Sequence, residues 1–159
     1  MRCVVDTCIL VDIMDDDVRF GRRSTQRLQD AVKDHALIVP PFVFCELLVG
    51  GKTGDQVDVF LRNSRIEMVD EVPFEVYGLA AARFREHLNR RRTNPAAIEC
   101  PGCGHQNKPT CSTCGQALAS RKLPMDYFIG AFALCNGDSR VLTRDTGVYG
   151  HDFRDVRLV

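Results

Sequence analysis

No apolar stretch of this chain approaches the length of a membrane span, so no membrane partner is expected. The opening residues, MRCVVDTCILVDIMDDD, lack the basic head and small-residue cleavage site of a secretory leader. They read as a strand running into a helix, and the cytoplasm is the expected compartment. Charge of either sign is without surplus: 21 Lys and Arg balance 21 Asp and Glu, for a formal net charge of zero. A sequence-independent nucleic-acid binder ordinarily carries a basic excess. Neutrality therefore argues against tight non-specific binding. It leaves open hydrolysis in a cleft whose committed acids mask a modest basic rim. There is no internal repeat and no low-complexity tail.

What is present suits one globular domain over residues 1–159, with room for a small insertion. Short apolar runs alternate with helical patterns. RCVVD reads as a buried strand, ILVDIM as a short helix closed by Asp15, Asp16 and Asp17, and ALIVP as a second strand. Ser24 is a candidate N-cap for a helix with Leu28, Ala31 and Val32 on one face. Pro40 or Pro41 suits the first turn of PFVFCELLVG, which Gly50 and Gly51 stop. Val57, Phe60 and Leu61 mark another helix, and RIEMVDEV a third strand. Phe74, Tyr77, Ala81, Phe84 and Leu88 recur at steps of three and four, the spacing of an amphipathic helix, which ends in Arg90, Arg91 and Arg92. After a cysteine-rich stretch, LPMDYFIGAFALC resumes a helix, RVLT is a strand, and VRLV suits a last one. Strands alternating with helices predict a parallel sheet covered on both faces, with ligand sites beyond the carboxyl ends of the strands.

Four acids stand where a carboxylate is awkward without a partner: Asp6 ending RCVVD, Glu46 inside FVFCELLVG, Asp126 opening MDYFIGAFALC, and Asp145 after RVLT. Capping explains Asp6 and Asp145, and helix-dipole complementarity explains Asp126, about as well as a shared site does. Glu46 is different. Its helical neighbours are Phe42, Val43, Val49 and Gly50, with no Lys or Arg within a turn. A helix apolar all round is buried, so this carboxylate needs a partner from elsewhere. Gathered together, the four would make an oxygen-rich pocket for a hard divalent cation. Gly130, Ala133 and Gly137 form a small-residue stripe that would let the Asp126 helix pack closely.

The succession VVDTC, FCELL, PMDYFIGAFAL and LTRDTGVY resembles the PIN domain, and its compact layout is most similar to VapC-type toxins of toxin–antitoxin pairs. The likeness covers the chain apart from the cysteine-rich insertion. It implies a three-layer α/β/α sandwich with a mostly parallel sheet of four to five strands. It implies a Mg²⁺ or Mn²⁺ site, ribonuclease activity on RNA, an antitoxin partner and a homodimer. The family's acids correspond to Asp6, Glu46, Asp126 and Asp145, and its threonine to Thr143. One departure is Cys8, where many members place Ser or Asn. In such a site one or two ions bridged by Asp6 and Asp126 would polarise the phosphate and acidify a bound water. Glu46 and Asp145 would hold metal-bound waters or a second ion. Thr7 and Thr143 are candidates to offer hydroxyls, with capping or strand roles equally plain.

Eight cysteines without an export signal favour metal over disulfides. Cys3, Cys8, Cys45 and Cys135 sit singly in apolar segments and are expected in the core. Cys100, Cys103, Cys111 and Cys114 form a C-x2-C-x7-C-x2-C pattern within residues 98–116. Four thiolates suit a structural Zn²⁺ in a small zinc ribbon; rubredoxin-like iron and redox disulfides are alternatives. The insertion either staples a loop or presents Gln106, Asn107 and Lys108 to substrate. Arg90, Arg91 and Arg92 are a solvated helix end or a grip on RNA phosphates. The competing functional class is a zinc-ribbon module that binds RNA or protein on an inactive PIN-like scaffold; a non-toxin PIN nuclease of RNA processing is the other variant.

Overall fold

The apolar runs CVV, LIV and VL become central strands buried on both faces, while the outer strands of the sheet are largely exposed. The computed structural model describes residues 1–93, 98–99, 106–107, 113, 123–137 and 139–159. Its first half runs β1 (Arg2–Val5), α1 (Thr7–Met14), α2 (Gly21–Asp34), β2 (Ala36–Val39), α3 (Pro41–Val49), α4 (Gly54–Asn63) and β3 (Ile66–Met68). Then come α5 (Phe74–Thr93), β4 (Ile98–Glu99), β5 (Gln106–Asn107), α6 (Met125–Cys135), β6 (Arg140–Leu142), α7 (Gly147–Asp152) and β7 (Arg157–Leu158). Five strands make one sheet in the order β3-β2-β1-β6-β7, every pair parallel. Cys3, Val4 and Val5, Leu37, Ile38 and Val39, and Val141 and Leu142 are all buried, as a sheet covered by helices on both sides requires. α2 lies against β2 and β6, while α6 lies against β1 and β6 with α5 packed on it. This is the expected three-layer α/β/α sandwich with a parallel sheet. Strands β4 and β5 form a separate antiparallel ribbon pairing Ile98 with Asn107 and Glu99 with Gln106.

Local chemistry sets the boundaries. Pro40 is the N-cap of α3 and Pro41 its first residue, and Gly50 ends it. Thr53 and Gln56 close a capping box on α4. Gly137 turns the chain after α6 with φ of +81°, a conformation glycine adopts without a Cβ penalty. Gly130 lets α6 approach α7, because a Cβ there would stand 2.8 Å from the Phe153 ring. Of the expected small-residue stripe, then, Gly130 and Ala133 serve packing and Gly137 serves the turn.

Several expectations need correction. Ser24 is not a cap. It lies inside α2, buried, and its hydroxyl donates to Asp12 at 2.7 Å. The turn before α2 is held instead by Asp17, whose Oδ1 accepts from the amides of Arg19 and Phe20. The α5 seam is rotated: Val76, Ala80 and Phe84 are buried, whereas Phe74 and Tyr77 face outward. Those two rings instead meet at a tilt, and Tyr77 meets Phe128 edge-on at 5.9 Å between centroids. Helix α3 is not buried all round, since Leu48 and Val49 are exposed. Of the solitary cysteines only Cys3 is buried; Cys8 is half-buried, and Cys45 and Cys135 are exposed. The side chains of Arg91 and Arg92, and the expected zinc ligands Cys100, Cys103, Cys111 and Cys114, lie outside the described residues.

Candidate functional site

The carboxyl ends of β1 and β6 lie side by side, and the residues just past them define the site. Asp6 follows β1. Its amide donates to the Leu142 carbonyl at 3.0 Å, continuing the ladder, and its side chain caps α1 by accepting from the Cys8 amide at 3.4 Å. Capping and site membership are therefore both true of Asp6. Its Oδ2 accepts from the Thr143 hydroxyl at 2.6 Å and from the Tyr149 hydroxyl at 3.4 Å. Thr143 in turn accepts from the Asp145 amide at 3.0 Å, tying the residue past β6 to the same point. Asp145 Oδ1 accepts from the Gly147 amide at 2.8 Å, so it also holds the first turn of α7. Glu46 comes from α3, and the Thr7 hydroxyl at the start of α1 donates to its Oε2. Asp126 arrives on the first turn of α6.

Electrostatics shows that these four acids share one neighbourhood. Burial pushes the Asp126 carboxyl up to about 6, with added repulsion from Asp6, Asp145 and Glu46. Burial also raises Asp6, opposed by the Thr143 hydrogen bond and reinforced by Asp145. Glu46 is raised by burial and by Asp6, with the Thr7 hydrogen bond opposing. The phenol of Tyr149 is pushed far up by burial and by the negative charges of Asp6 and Asp126, so it stays a neutral donor. Asp6, Glu46, Asp126 and Asp145 thus act on one another through space, and Thr143 bonds to Asp6 among them. Thr7 joins them.

No ion pair among the described residues involves any of the four acids. The guanidinium of Arg144, beside Asp145 in the chain, is engaged with Asp12. Nor do any three Asp, Glu, His or Cys side chains among the described residues stand close enough to ligate one ion directly. The donor chemistry nonetheless fits a hard cation. Four like charges repel without a counter-charge, and Mg²⁺ ordinarily keeps several waters and takes only one or two carboxylates directly. At Cys8 the thiol lies 3.4 Å from the Thr143 hydroxyl, so this departure from Ser or Asn leaves the Thr143–Asp6 contact in place.

Three features escaped sequence reasoning. Tyr149 carries no local signal, since its role depends on α7 folding back over Asp6. Asp12 does carry one, being an acid within the apolar run ILVDIM, as Glu46 is within FVFCELLVG. Asp152 meets Tyr127 and His87 from distant helices, and nothing in the spacing foretells that meeting.

No family model matches the sequence, and no curated protein does. Among solved structures, the chain is similar to one from Rickettsia felis, in the crystal structure of VapBC2 bound to a DNA fragment from their promoter. The TM-score is 0.63 at 14% sequence identity, covering 100% of this chain and 98% of that one. At that identity the likeness concerns the fold.

Proposed function

We propose that this chain is a metal-dependent endoribonuclease of the PIN type, acting as the toxin of a toxin–antitoxin pair. The observation that carries the reading is the mutual repulsion of Asp6, Glu46, Asp126 and Asp145 at the carboxyl rim of a parallel sheet, with no cation paired to them among the described residues. The fold shared with a VapBC2 chain supports the class, and RNA is the substrate the PIN resemblance favours. The antitoxin partner and a homodimer rest on the same likeness.

Asp6, Glu46, Asp126 and Asp145 would hold Mg²⁺ or Mn²⁺, which when bound supplies positive charge to a phosphodiester and acidifies a water at neutral pH. The chain's own residues prepare the place. Thr143 fixes Oδ2 of Asp6, while Oδ1 accepts from the Cys8 amide at the longer distance of 3.4 Å. Thr7 orients Glu46 and favours its charged form. Tyr149 closes the inner wall as a neutral donor to Asp6. No Ser–His or Cys–His pair is needed, because water is the nucleophile in this chemistry.

Incubating purified protein with labelled RNA and Mn²⁺, beside Asp126→Asn, tests the reading. Cleavage by the wild type and none by the variant supports it. RNA binding that survives in both without cleavage favours the zinc-ribbon binding module instead. The four-thiol spacing supports a structural Zn²⁺ on Cys100, Cys103, Cys111 and Cys114 in either case.

A further inference from the structure

Two buried acids outside the site have no part in the chemistry just proposed: Asp12 in α1 and Asp152 at the end of α7, 2% and 4% exposed. Both are surrounded by donors. Asp12 accepts from Arg144 Nε at 2.7 Å, from Arg144 Nη2 at 3.1 Å and from the Ser24 hydroxyl at 2.7 Å. The Arg144 guanidinium also lies 4.4 Å from the centroid of the Phe20 ring. Asp152 accepts from the Tyr127 hydroxyl at 2.6 Å and from the Arg90 guanidinium, and its Oδ2 lies 2.9 Å from His87 Nδ1.

Stability alone is a poor reason for such arrangements. Taking an ion pair out of water costs about as much as the pair returns, and apolar replacements of like volume are often neutral or better. What a fully satisfied buried network does supply is a unique geometry. The position of the partners in the chain says which geometry. Arg144 stands between Thr143 and Asp145. Thr143 is turned to Asp6 while Arg144 is turned to α1, so the segment is gripped from two directions. Tyr127 directly follows Asp126. Its hydroxyl reaches α7, so the first turn of α6 is pinned in rotation about its axis. The Asp126 carboxylate itself accepts no hydrogen bond from any other described residue, so its placement depends on this turn.

We infer that Asp12 and Asp152 are positioning residues: each locks the chain neighbour of a site acid, Arg144 beside Asp145 and Tyr127 beside Asp126, and so presents those two carboxylates to a divalent cation. The inference rests on the metal-site reading above. Contacts one layer outside a ligand shell orient the ligands, and their loss typically weakens metal binding by about 10- to 100-fold.

The experiment is a calorimetric titration of Mn²⁺ into the purified protein, with Tyr127→Phe and Arg144→Gln as probes. Val57→Ala, a core truncation in α4, serves as a control for general loosening. Both probes should weaken Mn²⁺ binding by about tenfold or more, while Val57→Ala lowers the thermal midpoint and leaves Mn²⁺ affinity unchanged. Tyr127→Phe removes one hydroxyl and keeps the ring, so it carries the test if Arg144→Gln fails to fold. Wild-type affinity in both probes, or equal weakening in Val57→Ala, overturns the inference. So does a wild type that binds no Mn²⁺. A wild type that binds Mn²⁺, responds to both probes and cleaves no RNA upholds the positioning roles and overturns the nuclease reading.

Discussion

The Thr143 hydroxyl donates to Asp6 Oδ2 at 2.6 Å across the seam between β1 and β6, and the same oxygen accepts from the Asp145 amide at 3.0 Å. One atom therefore ties the first of the four site acids to the last. Thr143→Val keeps shape and volume but removes both bonds. A hydrogen bond to a charged group contributes about 1.5–3 kcal/mol, so urea denaturation should show a loss of about 2 kcal/mol, with activity on RNA reduced at least tenfold. Thr143→Ser should retain both. Indistinguishable kinetics for Thr143→Val would remove this residue from the site.

Asp126 sets a pH dependence. Its carboxyl is raised to about 6 in the folded chain from an ordinary value of 3.8. Between those values the native state holds the proton more firmly than the unfolded chain, so stability falls as pH rises through that window. Without divalent metal, Asp126→Asn should be more stable than wild type at pH 7, and the difference should vanish below pH 4. Added Mn²⁺ should raise the wild-type melting temperature more than the variant's. Thermal melts across pH, with and without metal, decide the matter. A variant less stable than metal-free wild type at neutral pH would contradict the repulsion.

Gly130 tests the packing of α6 on the segment after α7. A methyl group there would meet the Phe153 ring at 2.8 Å, and the ring is fully buried. Overpacking typically costs about 1–3 kcal/mol. Gly130→Ala should fall in that range by chemical denaturation, although alanine favours a helix more than glycine does. A stabilised variant would mean that Phe153 moves aside freely.

The cysteine pattern predicts one Zn²⁺ per chain in the purified protein. Cys100→Ser together with Cys114→Ser should abolish it and leave the far-UV circular dichroism of the α/β body nearly unchanged. Elemental analysis checks the metal; iron in place of zinc would redirect the assignment to a rubredoxin-like centre.

The parts of the molecule legible in the sequence are those where one local pattern decides the outcome. Apolar runs such as CVV, LIV and VL suit a covered sheet, Pro41 starts a helix, and Gly51 and Gly137 turn the chain after one with positive φ. The four acids are legible because each interrupts or borders an apolar segment. Features requiring several segments to meet were not. The rotation of α5 depends on which of two apolar stripes finds α6, and the sequence offers both Val76 with Ala80 and Phe74 with Tyr77. Ser24 looked like a cap because Ser often is one; only the placement of α1 reveals Asp12 as its partner.

The final turns of α5 bring His87 and Arg90 onto Asp152, and Asp152 also holds Tyr127, one residue past Asp126. The end of α5 and the start of α6 are thus fastened to each other through one carboxylate, one residue away from Asp126. A change that loosened Asp152 would be felt by both helices that flank the cysteine pattern in the sequence, and by the acid that opens the second of them.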